Sequence, residues 1–112
     1  MKKRLSTLIA ILILTFSAYT AERTELSEVF YKNGLKYYVV GNYQKAIENF
    51  EQVLKLNPGD ERTKPVLGKS YLKLGLSQYK LKKYNEALIS FKKCAEYNPE
   101  LRGEAQQWEL TT

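Results

Sequence analysis

The strongest constraint on this chain is a helical pattern that occurs twice, 41 residues apart. The stretch GNYQKAIENFEQVLKLNPGD covers residues 41–60, and YNEALISFKKCAEYNPE covers residues 84–100. Repeats with a period of this length indicate stacked copies of one helical unit, because a single copy cannot bury its apolar face alone. The residues that recur at this spacing are Tyr43 with Tyr84, Ala46 with Ala87, Phe50 with Phe91, Asn57 with Asn98, and Pro58 with Pro99.

Each copy contains a pair of amphipathic helices. Hydrophobic periodicity predicts the first pair over residues 25–40 and 43–56, with Gly41 and Asn42 between them. The second pair is predicted to begin near Pro65 and to end with a helix over residues 84–97. A last apolar stripe, formed by Leu101, Ala105 and Trp108, predicts a fifth helix. The sequence therefore predicts an all-α protein.

With these residues the unit resembles the tetratricopeptide repeat, whose signature combines a large aromatic residue, a Leu-Gly pair, a Tyr, an Ala, an aromatic residue and a Pro. The resemblance covers residues 27–60 and 68–101. It implies a short right-handed α-solenoid over residues 22–112, closed by a capping helix over residues 99–110. The matching residues are Phe30, Gly34, Tyr37, Tyr43, Ala46, Phe50 and Pro58 in the first unit, and Tyr71, Leu74, Gly75, Tyr84, Ala87, Phe91 and Pro99 in the second.

Three features depart from the family pattern. Asn33 stands where the family has Leu, and Gln78 stands where it has Tyr. Both side chains are expected to face the hairpin interior and to need hydrogen-bond partners there. The period exceeds the family's 34 residues or so by about two helical turns, so the first helix of each hairpin is expected to start early. Leu26 and Leu67 occupy matching positions in these extensions.

The N-terminus reads MKKRLSTLIAILILTFSAYTA, with three cations before an apolar run from Leu5 to about Tyr19. This order is typical of a secretory signal. The run is shorter than the roughly 20 apolar residues of a membrane-spanning helix, which favours cleavage over retention as an anchor. Residues 1–21 are therefore expected to lie outside the folded unit. The protein is expected in the bacterial periplasm or cell envelope, or else anchored in the inner membrane with these residues in contact with lipid.

The composition argues against an enzyme and against a bound cofactor or metal. The chain has no histidine, no Gly-rich phosphate loop and one cysteine, Cys94, which is interpreted as a small buried residue. The formal net charge is +6, of which residues 2–4 contribute half. The remaining excess of positive charge is small, so nucleic acid is not an expected partner.

The resemblance implies that the first helix of each hairpin lines a concave face that recognises a partner. If Phe30, Gly34 and Tyr37 fill the hairpin core, a neighbouring stripe on each of these helices faces outward. Exposed stripes rich in tyrosine are typical of interfaces. An alternative is that the fifth helix or a second copy of the chain covers them. The predicted partner-binding residues are Tyr31, Leu35, Tyr38, Lys69, Leu72, Lys73, Leu76 and Tyr79.

Two functions fit this pattern. One is an exported interaction module or adaptor that binds another protein or a peptide. The other is a structural subunit that forms homo-oligomers or stacks with other repeat proteins. Two repeats are fewer than the three or so that usually make a stable array, which favours the second function. A fifth helix that supplies the missing cap would restore the first function.

Overall fold

The computed structural model describes residues 2–112, with side chains from residue 4 onward. Met1 lies outside the described part, as do the side chains of Lys2 and Lys3, two of the three residues to which half of the net charge was assigned. Within it all regular structure is helical, which confirms the predicted fold class. The elements are α1 (Lys2–Val39), α2 (Tyr43–Leu56), α3 (Thr63–Lys80), α4 (Tyr84–Tyr97), a 3-10 turn (Pro99–Leu101) and α5 (Arg102–Thr111).

Helix α1 is a single helix of 38 residues. It contains the apolar N-terminal run and the first helix of the first hairpin. No glycine or proline occurs between Leu5 and Asn33, so nothing in the chain interrupts the helix at the predicted boundary near residue 21. The side chains of residues 4–22 are all exposed.

The two hairpin turns have the same backbone form. Gly41 has a φ of 81°, and Lys82, which is 41 residues further on, has a φ of 62°. This left-handed conformation costs a glycine little and an ordinary residue more. After the first turn, the Asn42 side chain accepts a hydrogen bond of 3.2 Å from the Lys45 amide and caps α2.

Inside each hairpin a phenylalanine ring lies directly on a glycine of the facing helix. A Cβ atom on Gly34 would lie 2.5 Å from Phe50, and one on Gly75 would lie 2.6 Å from Phe91. Both rings are completely buried. The glycines are needed because any side chain at these two positions would displace the ring that fills the hairpin.

The hairpins are joined through α3, which packs on both α2 and α4. Leu67 of α3 is fully buried in the cluster formed by Ala46, Ile47 and Phe50 of α2. Helix α5 packs on α4, and its Trp108 stacks on Phe91 with ring centroids 5.9 Å apart. The second hairpin therefore has a cover on its outer side.

Helix α3 begins at Thr63, two residues before the predicted start at Pro65. The reason is Asp60, whose carboxylate accepts hydrogen bonds from the amides of Arg62 at 3.0 Å and Thr63 at 3.1 Å. This capping group begins the helix earlier than the proline does. The early start places Leu67 in the contact with α2.

Leu26 and Leu67 occupy matching positions but have different surroundings. Leu67 is fully buried, whereas Leu26 is 47% exposed because no described helix covers it as α2 covers Leu67. The two polar departures also differ. Gln78 accepts a hydrogen bond of 2.6 Å from Ser90, as expected for an interior position. Asn33 is half-buried and has no hydrogen-bond partner among residues 4–112, so the expectation of an interior partner was wrong for this residue.

Candidate interaction surface

The structure distributes the eight predicted partner-binding residues among three environments. Lys69 and Lys73 are exposed on α3. Leu72 is only 5% exposed. The other five are half-buried: Tyr31, Leu35, Tyr38, Leu76 and Tyr79.

On α1 the predicted stripe packs against the core of the first hairpin. The Tyr31 ring lies 6.1 Å from the Phe50 ring, and Arg62 lies over its other side at 4.4 Å. Tyr38 meets Tyr43 edge-on at 5.6 Å. Of the stripe that was assigned to the core, Gly34 lies under Phe50 and Tyr37 packs against the same cluster, so the assignment was wrong for Phe30 only. Phe30 is half-buried at the outer edge of the hairpin, beside polar residues of α2.

On α3 the predicted stripe is largely covered by the fifth helix. Leu72 belongs to the buried cluster that contains Phe91 and Ala105, so its placement on the outer face was wrong. The Tyr79 ring meets Trp108 of α5 edge-on at 5.5 Å. Helix α5 occupies the place that the first helix of a third hairpin would take. The alternative of an internal cover thus applies to this half of the surface.

Among the side chains that the structure describes, five exposed lysines remain on α1 and α3. On α3, Lys69, Lys73 and Lys80 follow one another at intervals of four and seven residues, which places them on one side of the helix. Lys32 of α1 corresponds to Lys73, and Lys36 follows one turn later. None of the five forms an ion pair with a carboxylate described in the structure. They give this side of the molecule a positive field.

A polar junction, which the sequence did not reveal, joins α1 to the turn between the hairpins. It lines a depression of about 300 Å³. Arg23 donates a hydrogen bond of 2.6 Å to the Leu56 carbonyl at the end of α2. Arg62 donates to Glu28 and also pairs with Asp60 at 3.1 Å. A cation at the carboxyl end of a helix is favourable. The Arg23 contact therefore stabilises the packing of α1 against the end of α2.

The ionisation of Asp60 fits this role. Burial alone would raise the pKa of the Asp60 carboxyl, but its bonds with Arg62 and Thr63 outweigh burial and hold the pKa below the ordinary value.

Within residues 4–112 no group of three or more metal-ligating side chains occurs. Burial raises the pKa of the Cys94 thiol to about 11, with a contribution from Glu104. The thiol is therefore protonated at neutral pH, when it is a poor nucleophile.

Comparison with family models agrees with this geometry. The tetratricopeptide repeat model matches residues 27–60 and again residues 68–101. The chain belongs to the tetratricopeptide repeat family. No curated protein and no solved structure matches the chain.

The tetratricopeptide units account for most of the folded part between the apolar run and α5, and residues 61–67, with the buried Leu67, lie between the two units. The second unit begins at Gly68, where a Cβ atom would lie 2.5 Å from Cβ of Asn98. Asn98 in turn donates a hydrogen bond of 3.0 Å to the Pro65 carbonyl. Tetratricopeptide repeats serve in general as modules that bind other proteins or peptides, and they are typically not catalytic.

Helix α1 is also long and apolar enough, from Arg4 to Val39, to cross a membrane by length and composition. Signal sequences pass the same test, so an N-terminal signal and an anchor both agree with the helix.

Proposed function

We propose that this protein is an exported or membrane-anchored interaction module that binds a partner protein or peptide on the lysine-bearing side of α1 and α3. The observation that carries the proposal is the set of five exposed lysines without carboxylate partners, Lys32, Lys36, Lys69, Lys73 and Lys80. A surface of this charge favours an acidic segment of a partner.

Half-buried apolar side chains next to the lysines give the surface a second kind of contact. Leu35 of α1 and Leu76 of α3 are each partly accessible, and a partner that covers them adds a hydrophobic term to the electrostatic one. Tyr31 and Tyr79 contribute only their exposed edges, since Arg62 and Trp108 cover the rest. Leu72 does not take part because it is buried.

The binding proposal is tested with a charge-reversal pair. Lys69→Glu combined with Lys73→Glu should lower recovery of a cross-linked partner from cells that express the chain at least tenfold. Lys92→Glu, on the exposed side of α4, is the matched control and should leave recovery unchanged. Circular dichroism should show the same helix content for all variants. Undiminished recovery with the double variant would reject the lysine-bearing side as the binding surface.

The location is tested by fractionation and by mass spectrometry of the N-terminus. An intact N-terminus in the carbonate-washed membrane fraction indicates an anchor. A mature chain that begins near residue 18 or 22 indicates a cleaved signal. An intact chain in the soluble cytoplasmic fraction would contradict both forms of the proposal.

A further inference from the structure

Helix α1 carries an apolar stripe that α2 covers along one edge only: Phe30 lies beside polar residues of α2 and Tyr37 packs against its apolar cluster. Leu26, Phe30, Asn33 and Tyr37 follow one another at intervals of four, three and four residues. Leu26 is 47% exposed, and Val29 beside it is 52% exposed. This outer stripe lies on the side of the first hairpin where a preceding repeat would stack.

The second hairpin shows what such a position is built to contact. The residues of α3 that correspond to Leu26, Phe30 and Asn33 are Leu67, Tyr71 and Leu74. All three meet α2: Leu67 and Leu74 pack in its apolar cluster, and the Tyr71 hydroxyl donates a hydrogen bond to Glu51. Gln78, the counterpart of Tyr37, instead accepts a hydrogen bond from Ser90 of α4. At its first three positions the outer stripe of α1 therefore has the composition of a helix-packing surface without its helix.

Asn33 indicates which helix packs on the outer stripe. Its side chain has no hydrogen-bond partner in the part of the chain that the structure describes, although it lies half-buried in the outer stripe. A carboxamide is both a donor and an acceptor, so it is complementary to another carboxamide. A two-fold axis beside α1 would place Asn33 opposite Asn33 of a second copy, because two-fold interfaces bring identical surfaces together.

The spacing of the stripe also suits a coiled-coil pair of α1 helices, and a parallel pair places the two apolar runs side by side. Alternating intervals of three and four residues are the pattern of a coiled coil. The same alternation continues through Arg23 and upstream into the apolar run, at the exposed residues Tyr19, Phe16, Leu12 and Ile9. Arg23 is the charged member, and its bond to the Leu56 carbonyl holds the guanidinium toward α2.

We infer that the outer stripe of α1 is the interface of a parallel homodimer, in which two α1 helices pack along Leu26, Phe30, Asn33 and Tyr37. Helix α2 packs mainly on the adjacent side of α1, where Ser27 and Gly34 are buried, and touches the stripe only at the edge formed by Phe30 and Tyr37. The second copy would therefore pack beside α2 and cover the part of the stripe that α2 leaves open. The inference does not depend on the proposed function, because the lysine-bearing side is a separate surface.

Disulfide cross-linking of the full-length chain in mild detergent tests the arrangement. The variants are Leu26→Cys and Tyr37→Cys, each combined with Cys94→Ala. The matched control is Lys32→Cys, which is exposed on another side of α1. In a parallel dimer both stripe variants should give at least tenfold more covalent dimer than the control. Equal or negligible dimer at all three positions would overturn the inference, as would cross-linking of the stripe variants to a different protein in cell membranes.

A second experiment tests the role of Asn33 without cross-linking. Asn33→Asp keeps the shape of the side chain but places two like charges opposite each other, which should weaken self-association at neutral pH at least tenfold. Lys32→Asp is the control and should not weaken it. Light scattering gives the mass of the detergent-solubilised protein, and circular dichroism checks that the helices remain. A folded Asn33→Asp variant that dimerises like the wild type, or a monomeric wild type, would overturn the inference.

Discussion

Individual glycines decide how closely the two helices of each hairpin approach. Gly34 has no room for a methyl group, since a Cβ atom there would lie 2.5 Å from Phe50. Gly103 has no neighbour within 4 Å of the same atom and lies on the exposed side of α5. Alanine should therefore have opposite effects at these two positions.

We predict that Gly34→Ala lowers the free energy of unfolding by about 1–3 kcal/mol, because the added methyl overpacks the hairpin. Gly103→Ala should raise it by about 0.5–1 kcal/mol, since alanine is the better helix former. Urea unfolding followed by circular dichroism measures both changes. A stabilising effect of Gly34→Ala would show that the Phe50 ring can move away at little cost.

Asp60 gives stability a dependence on pH. Because its pKa is lowered in the folded protein, its contribution is fully present above the unfolded value of about 3.9. The contribution is lost as the pH falls through the folded pKa. Asp60→Asn should cost about 1 kcal/mol at pH 7, as for the loss of a helix cap. The difference from the wild type in urea unfolding should shrink steadily below pH 4; a difference that stays constant would mean that the charge of Asp60 is not what stabilises α3.

At the scale of the helices, the sequence was sufficient for α2 and α4, whose observed ends are the predicted ones. Gly41-Asn42 and the two Asn-Pro pairs mark those ends in the sequence itself. The faces of α1 and α3 could not be assigned in the same way. Both helices carry aromatic and aliphatic residues on adjacent stripes, so periodicity allowed either Phe30 or Tyr31 to face the core.

Residues from distant parts of the chain determine which faces of α1 and α3 are buried. Arg62 lies over Tyr31, and Trp108 covers Tyr79. The predicted partner-binding residues were chosen from the stripe on each helix that the sequence pattern left outside the core. Contacts with α4 and α5 were not part of that choice, and Leu72 was therefore assigned to the outer face although it is buried. The polar junction was missed for the same reason, because Arg23 contacts a carbonyl 33 residues away. Local patterns predict elements and their ends, whereas contacts between elements decide which face is free.

Helix α5 is expected to act as a structural cap of the second hairpin. Trp108→Ala removes a ring that contacts both Phe91 and Tyr79. We predict a loss of about 3 kcal/mol in the free energy of unfolding, at the low end for a large aromatic residue because Trp108 is partly exposed. Leu110→Ala, at a residue 90% exposed on the same helix, should change it by less than about 0.5 kcal/mol. Similar small effects of both substitutions would show that α5 does not stabilise the hairpin.

At the scale of the whole molecule, the buried core and the apolar N-terminal run are separate. The first buried side chain of α1 is Ser27 among residues 4–39, and residues 4–22 are exposed throughout. The polar junction begins one residue later, at Arg23, whose bond to the Leu56 carbonyl ties α1 to α2. We therefore expect the folded unit to include Arg23 and to depend on no described side chain before it.

We predict that a chain starting at Glu22 remains helical, because it keeps every residue of the two buried clusters and the Arg23 contact. Arg23→Ala in this shorter chain should lower the free energy of unfolding by about 1 kcal/mol, the usual net worth of one hydrogen bond. Thermal unfolding of the shorter chain, its Arg23→Ala variant and the full chain in detergent measures both effects. An unfolded shorter chain beside a folded full-length protein would show that the apolar run takes part in folding.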